Sequence, residues 1–205
     1  MKYKILTIIT LLIFSCNSSN QEKTPTTNIK QNNPIFINFL ERKIYFPDDY
    51  IESNVKTLSE SIFDLSVLNN NYLFDFSRYQ NLKRMEENGA IFFVNQKKPN
   101  DHIIFIPGSE FTKFDLNKNT VQYYVKMLER QFKETEHIIK RERLKSQLLK
   151  LGKTRAIKVK YIEDLNGKLN FMTNYIVAYK HRTFSIIINS TSNQDFTPFI
   201  RNFKD

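Results

Sequence analysis

The sequence has few of the residues on which many enzymes and disulfide-bonded proteins depend. Cysteine occurs once in 205 residues, which excludes an intrachain disulfide and a zinc site built from several cysteines. Tryptophan is absent, and there are only four glycines and three histidines. The GxSxG, GxGxxG, GxxxxGK[ST] and HExxH motifs do not occur. The sequence therefore contains no motif that indicates an enzyme.

Aromatic and basic residues, in contrast, are abundant. The 18 phenylalanines and 10 tyrosines supply apolar surface for one packed core. The net charge of +10 falls to +8 without Lys2 and Lys4, and basicity of this size favours lipid headgroups, polyanionic glycans or nucleic acid as partners. The alternative is a bias towards residues encoded by AT-rich codons, with the charge serving solubility.

The first residues have the pattern of an export signal. Lys2 and Lys4 precede an apolar run at 5–14 that is too short to span a bilayer, which needs about 20 residues. The segment Ile13-Phe14-Ser15-Cys16 resembles the lipobox of bacterial lipoproteins. That resemblance implies that residues 1–15 are removed and that Cys16 carries acyl chains such as palmitate. The alternative is an ordinary secretory signal with an incidental cysteine.

These features predict three segments and a location in the cell envelope. Residues 1–15 are the signal peptide, and residues 16–34 are a polar tether because they contain a single strongly apolar residue, Ile29. Residues 35–205 form one globular domain, anchored through its lipid to a bacterial membrane, which we expect to be the outer membrane. Export makes nucleic acid an unexpected partner.

Hydrophobic periodicity predicts an α+β domain with a mostly antiparallel sheet flanked by helices. Helices are expected from Ser77 to Gly89, from an Asn119 or Thr120 cap to Phe132, and from Asn193 to about Phe203. The segment Tyr72–Phe76 fits a helix and a strand equally well. The predicted strands are 43–47, 90–94, 102–107, 137–149, 155–163, 169–179 and 183–189.

This order of elements resembles the PsbP-like fold, which is shared by photosystem extrinsic subunits and a Ran-binding nuclear transport factor. The resemblance covers most of residues 40–205. It rests on Ile44-Tyr45-Phe46-Pro47, on the alternation at 155–161, and on the phenylalanines of the terminal helix. Members of this fold are mainly binding or assembly modules. The resemblance implies no chemistry, and no functional residue can be transferred.

Isolated polar residues provide weak candidates for catalysis or metal binding. Asp48, Asp49 and Asp101 could act as acids or bases, but each lies in turn-like sequence where aspartate bonds to the backbone. Ser109 has no recognisable base partner. His137 follows Glu134 and Glu136, and we interpret it as a solvent-facing histidine. We therefore predict no catalytic residue, no metal site and no cofactor.

The strongest candidate for binding is a set of basic residues on two predicted strands. Arg141, Arg143 and Lys145 alternate and are expected to share one face. Lys158 and Lys160 alternate on the next strand, opposite the apolar Ile157, Val159 and Tyr161. If the two basic faces coincide, they form a positive surface suited to phosphate groups. The alternative is a solvated face whose charges prevent aggregation.

Three functions remain open from the sequence. We expect a non-enzymatic envelope lipoprotein whose domain binds a protein partner or an anionic lipid or glycan. A small hydrolase of unrecognised type is the alternative, and converging carboxylates in a cleft would favour it. A purely structural role within a larger envelope assembly is the third.

Overall fold

A computed structural model describes residues 31–47, 49–63, 72–108, 116–152, 154–165, 167–201 and 203. The predicted signal peptide, Cys16, most of the tether, Asp48 and Ser109 lie outside these residues. Nine strands and four α-helices occur in the part of the chain that is described. The predicted α+β class is confirmed, because one large antiparallel sheet carries helices against it.

Seven strands form that sheet in the order β3-β4-β5-β9-β8-β7-β6. Every neighbouring pair is antiparallel, and β6, β7 and β8 are the longest strands, with 12 residues each. Strands β1 and β2 form a separate antiparallel hairpin. The bounds are β1 Gln31–Ile37, β2 Arg42–Pro47, β3 Tyr50–Ser53, β4 Ile91–Asn95, β5 His102–Pro107, β6 Lys140–Leu151, β7 Thr154–Leu165, β8 Lys168–Tyr179 and β9 Arg182–Ser190.

One face of the large sheet, here called the hairpin face, is covered by β1–β2 and by α4, Thr197–Arg201. Phenylalanines dominate this layer. Phe105 lies within 6.2 Å, between ring centroids, of Phe184, Phe199 and Phe203. Because such rings bury large apolar areas and pack edge to face, this layer contains the main core of the domain.

The opposite face, here called the helical face, is covered by three helices: α1 Val55–Phe63, α2 Tyr72–Glu87 and α3 Lys118–Phe132. Helices α1 and α2 pack over β4 and β5, where Leu58 and Leu82 meet Phe92. Helix α3 packs over β7 and β8 through Val125 and Leu128. The two helix groups cover opposite halves of the sheet and leave the middle of this face to other residues.

Most predicted elements are confirmed within one or two residues. Strands β2, β4, β5, β7, β8 and β9 all occur, as does the helix ending at Phe132. The cap of this helix is Asn117 rather than Asn119 or Thr120, since its side chain accepts from the backbone N–H groups of both of those residues.

Several boundaries differ from the predictions. The ambiguous segment at Tyr72 is the start of α2, so Ser77 lies inside a helix and does not cap one. His137 lies in a turn, because the carbonyl oxygen of Thr135 accepts hydrogen bonds from the backbone N–H groups of Ile138 and Ile139. Strand β6 therefore begins at Lys140 rather than at His137. The terminal helix is short and begins at Thr197, and residues 193–196 before it form no regular secondary structure.

Three elements have no counterpart in the sequence prediction: β1, β3 and α1. Strand β1 begins at Gln31, four residues before the predicted start of the domain. Its polar residues do not resemble a buried strand, yet Ile35 and Ile37 pair opposite Ile44 and Arg42 of β2. Pairing with an apolar partner strand therefore decides the conformation of a segment whose composition is typical of a tether.

Candidate functional site

The gap between α2 and the end of α3 forms a cleft of about 890 Å³ on the helical face. Its floor is formed by the five neighbouring strands β5, β9, β8, β7 and β6. Its two walls are formed by α2 and by the C-terminal end of α3. The volume falls within the range of about 300–1,000 Å³ that is usual for ligand sites. Its polar lining residues are Arg78, Asn81, Arg84, Asn88, Asn100, His102, Gln131, Glu134, Thr135, Arg141, Glu163, Lys168, Asn170, Asn189 and Thr191.

A continuous hydrogen-bond network crosses the floor of the cleft. Asn189 Nδ2 lies 2.8 Å from His102 Nε2, and Asn189 Oδ1 accepts from Asn170 Nδ2 at 3.2 Å. Asn170 Nδ2 also donates to Glu163 Oε2 at 2.9 Å. Glu163 Oε1 in turn accepts from Arg141 Nε at 2.7 Å. The network therefore links one side chain from each of five adjacent strands and fixes their orientations.

His102 occupies one end of the network as a neutral side chain. It is 3 % exposed, and its Nδ1 lies 3.0 Å from the carbonyl oxygen of Asn100. That carbonyl can only accept, so Nδ1 carries the proton and Nε2 accepts from Asn189. Burial, together with the positive charge of Arg78, lowers the pKa of His102 to about 4. Near neutral pH the imidazole is uncharged and both of its nitrogens are engaged.

Arg141 occupies the other end of the network and is held from three sides. Besides the bond to Glu163, its guanidinium donates to Thr135 Oγ1 at 2.7 Å and lies 4.5 Å from the ring centroid of Phe132. Its side chain is only 12 % exposed, and that of Glu163 is 13 % exposed. The Arg141 charge is thus largely balanced inside the protein.

Three further basic residues line the cleft. Arg78 and Arg84 lie on α2, and Lys168 is the first residue of β8. Arg84 and Lys168 are exposed, whereas Arg78 is half-buried beside His102. The lining contains four basic and two acidic residues, and one acidic residue pairs with Arg141. The electrostatic balance of the cleft is therefore positive.

The predicted basic surface is divided between the two faces of the sheet. A β-bulge between Arg143 and Lys145 shifts the register, so Arg143 pairs with Tyr161 while Lys145 pairs with Lys160. Directly paired residues of antiparallel strands point to the same side. Arg141 and Arg143 therefore belong to the helical face. The expectation that they share a face with Lys145 is wrong, because the extra residue at the bulge reverses the alternation.

Lys145, Lys158 and Lys160 belong to the hairpin face, but two of them are not solvent-facing. Lys158 and Lys160 are 3 % and 7 % exposed. The segment that leads into α4 covers this face of β7. Lys158 and Lys160 are therefore buried on one side of the strand, while Ile157, Val159 and Tyr161 are buried on the other side. Arg143 is exposed and forms a 2.8 Å ion pair with Glu129 of α3. The five predicted residues therefore do not form one open basic surface.

The two buried lysines bind the segment that leads into α4. Lys158 Nζ donates to Asp195 Oδ1 at 2.6 Å and to Thr197 Oγ1 at 3.0 Å. Lys160 Nζ donates to Asn193 Oδ1 at 2.6 Å and to the carbonyl oxygen of Gln194 at 2.9 Å. Both ammonium groups thus attach residues 193–197 to β7, and we call this arrangement the lysine clamp.

The pKa values in the clamp reflect competition between burial and charge. Burial and the neighbouring charge of Lys158 lower the pKa of Lys160 to about 8. Burial also lowers the pKa of Lys158, and the bond to Asp195 opposes this effect. Burial by itself raises the pKa of Asp195, but the bonds from Lys158 and Thr197 outweigh it and bring the pKa to about 2.

The carboxylates considered for acid–base chemistry bind parts of the protein itself. Asp101 is buried, and its oxygens accept from the Ser190 hydroxyl at 3.0 Å and from the Thr191 backbone N–H at 2.7 Å. Asp49 forms an exposed 2.7 Å ion pair with Lys97. Both positions agree with the structural interpretation of these residues, since each connects neighbouring loop or strand ends.

No group of three or more His, Cys, Asp and Glu side chains suited to a metal ion occurs among the described residues. In the same part of the chain, no helix is both long enough and apolar enough to cross a bilayer.

Comparison with known proteins finds similarity among solved structures. No protein-family model matches the chain. No curated protein matches it either. Among solved structures, it is similar to cyanobacterial PsbP (CyanoP) from Synechocystis sp. PCC 6803, with a TM-score of 0.46 and 10% identity over 78% of this chain and 80% of that one. PsbP is the group whose fold the sequence pattern resembles.

The sequence pattern did not identify the cleft. Arg78 and Arg84 lie on a mostly polar helix, and Lys168 follows a turn, so each resembles an ordinary surface residue. A signal existed at the ends of two strands, because His102 directly precedes one apolar run and Asn189 directly follows another, at positions that alternation assigns to the interior. Polar groups at such positions require partners, which is how the network could have been suspected.

Proposed function

We propose that this protein is a non-enzymatic binding module of a bacterial cell envelope, attached to its membrane by lipid at Cys16, and that the cleft is the site where it binds an anionic envelope component. The observation that carries the proposal is the cleft itself, which combines an organised polar floor with an excess of positive charge. The N-terminal pattern of residues 1–16 supports the location.

The geometry favours binding over catalysis. An acid or base must reach a substrate proton with a free hydrogen-bonding atom. The two nitrogens of His102 and the carboxylate of Asp101 are instead occupied within the protein. Glu163 is held by Arg141 and Asn170. A network in which the buried groups satisfy one another is suited to holding a shape rather than transferring protons.

The position of the positive charge favours an anion that enters the cleft over one that lies on the sheet surface. Guanidinium groups bind carboxylate or phosphate through two parallel hydrogen bonds. Arg84 and Lys168 are exposed at the cleft, whereas Lys158 and Lys160 are buried and form the lysine clamp. Of the residues predicted from sequence, Arg141 is the one that lines the cleft.

A charge-reversal experiment tests this function with a simple anion as probe. Tricarballylate, which has three carboxylates and no hydroxyl groups, is titrated calorimetrically into the full-length chain at low salt. We expect Arg84→Glu and Lys168→Glu each to weaken binding by about tenfold or more, because each removes a charge-assisted hydrogen bond. Lys83→Glu is the matched control, since Lys83 is an exposed neighbour of Arg84 that does not line the cleft. Equal losses in Arg84→Glu and Lys83→Glu would contradict the proposal.

A further inference from the structure

Six of the 21 residues that line the cleft have side-chain carboxamides. Asn81 comes from α2, Asn88 comes from the turn that follows α2, and Gln131 comes from α3, so carboxamides occur on both walls. All three are exposed to solvent. The complete set of lining carboxamides is Asn81, Asn88, Asn100, Gln131, Asn170 and Asn189.

Carboxamides match the hydrogen-bonding properties of hydroxyl groups. Each carboxamide has an oxygen that accepts and an NH₂ group that donates. A hydroxyl group likewise donates once and accepts through its lone pairs. Because the Nδ2 group of Asn170 donates to both Glu163 and Asn189, that side chain is fixed with a defined orientation. The exposed carboxamides of the walls can satisfy several hydroxyl groups arranged along one ligand.

Apolar side chains lie between these polar groups. Phe132, Leu169 and Met172 line the cleft, and Leu169 is 53% exposed. Apolar surface of this kind gains free energy when a ligand covers it. A sugar ring presents C–H groups on its faces and hydroxyl groups at its edge, so one ring can contact both kinds of side chain together.

We infer that the cleft binds an acidic oligosaccharide, whose carboxylate or phosphate group pairs with Arg84 or Lys168 and whose hydroxyl groups bond to the carboxamides of the two walls. This inference rests on the proposed function and adds the ligand class. The volume of about 890 Å³ accommodates more than a single small anion. A hydroxyl-rich ligand also explains why the lining combines charge with so many neutral donors and acceptors.

The test uses the full-length chain in a polyoxyethylene detergent, which contains no sugar, and four soluble probes. Trigalacturonate carries carboxylates and hydroxyl groups, and glucose 6-phosphate carries a phosphate and hydroxyl groups. Maltotriose has hydroxyl groups without charge, and tricarballylate has charge without hydroxyl groups. We expect trigalacturonate, glucose 6-phosphate or both to bind at least ten times more tightly than maltotriose and tricarballylate, and the preferred acidic probe identifies the source of the charge.

Substitutions in the walls separate sugar recognition from anion binding. Asn81→Leu and Gln131→Leu should each weaken binding of the preferred acidic sugar by about twofold to tenfold, the effect of one neutral hydrogen bond. Neither should change the affinity for tricarballylate. Gln80→Leu is the matched control, because Gln80 is exposed on α2 beside Asn81 and does not line the cleft.

The failures of the two proposals are distinguishable. If tricarballylate binds as tightly as both acidic sugars, the inference about sugars is overturned while the anion site stands. If maltotriose binds as tightly as the acidic sugars, the positive charge has no part in recognition and both proposals fail. If none of the four probes binds, both proposals are also overturned. Equal effects of Asn81→Leu and Gln80→Leu would contradict the assignment of sugar binding to this wall.

Discussion

Lys158 Nζ and Asp195 Oδ1 lie 2.6 Å apart, across 37 residues of sequence. The lysine side chain is only 4% exposed, while the aspartate side chain is 43% exposed. The same Asp195 oxygen accepts the backbone N–H of Thr197 at 2.9 Å, so one atom both neutralises the lysine and binds the first residue of α4. Loss of the aspartate charge leaves an ammonium group buried against the sheet.

The first prediction concerns this pair. Asp195→Ala should lower the free energy of unfolding by about 2–3 kcal/mol, because a buried charge loses its partner and the backbone N–H of Thr197 loses its acceptor. Lys158→Met should cost less, since it replaces the buried charge by an apolar chain. The measurement is urea unfolding followed by circular dichroism.

Asp195→Asn serves as the control for the bond to Thr197, because its side-chain oxygen can still accept from that backbone N–H. The double variant Lys158→Met/Asp195→Asn should recover most of the stability lost in Asp195→Asn alone. If Asp195→Ala and Asp195→Asn each lower the free energy of unfolding by the same amount in the wild type and in Lys158→Met, the lysine and the aspartate are not coupled.

The second prediction concerns the pH dependence of the lysine clamp. Burial holds the pKa of Lys160 at about 8 in the folded protein, below its usual value of 10.5. Between pH 8 and 10.5 the unfolded chain therefore binds more protons at this residue, so the free energy of unfolding rises with pH across this window. Lys160→Met removes this contribution. Chemical unfolding at several pH values should show a shallower rise in the variant than in the wild type. Parallel pH profiles would mean that Lys160 titrates alike in both states.

The third prediction concerns His102. Its folded pKa of about 4 lies below the usual 6.5, so the unfolded chain takes up the proton first as the pH falls. The stability contributed by the neutral imidazole is present above pH 6.5 and is lost between 6.5 and 4. Arg78, Asn100 and Asn189 are the groups in contact or in electrostatic range.

His102→Gln tests this, because glutamine can accept from Asn189 but does not titrate. The wild type should lose more stability than the variant as the pH falls from 6.5 to 4, so the difference between them changes across this window. A constant difference over the same range would contradict a shifted histidine.

The fourth prediction concerns the membrane anchor. Cys16 is the only cysteine of the chain, so a fatty-acid label attached to a cysteine can lie nowhere else. Cells that express the full chain should incorporate an alkyne-tagged palmitate into it, and Cys16→Ser should abolish the label. Cys16→Ser should also release the protein from the membrane fraction if residues 1–15 are still removed. Labelling that survives in Cys16→Ser would contradict the lipoprotein interpretation.

Alternation in the sequence predicted the strands well, because Ile157, Val159 and Tyr161 identify one face of β7 directly. It failed at Lys158 and Lys160, since it assigned charged residues to solvent. That assignment assumes a sheet covered on one side, and this sheet is covered on both. Burial of these lysines depends on Asp195 and Asn193, which are more than 30 residues away.

The cleft could not be predicted from the sequence either, because it depends on how distant strands and helices are arranged. A bulge beside Leu144 depends on how two strands pair and leaves no mark in the periodicity of either one. The network from His102 to Arg141 depends on the strand order, which places β9 between β5 and β8. Neither the order nor the separation of α2 from α3 follows from local sequence.

The most direct test of the anion site is to map it by nuclear magnetic resonance. A ¹⁵N-labelled chain from residue 16 onward, carrying Cys16→Ser, is titrated with tricarballylate while the amide signals are followed. We expect shifts in Asn170, Met172 and Asn189 on the cleft floor and in the α2 residues near Arg84, with none on the β1–β2 hairpin. Shifts centred on the hairpin face around Lys145, or none at saturating tricarballylate, would contradict the account.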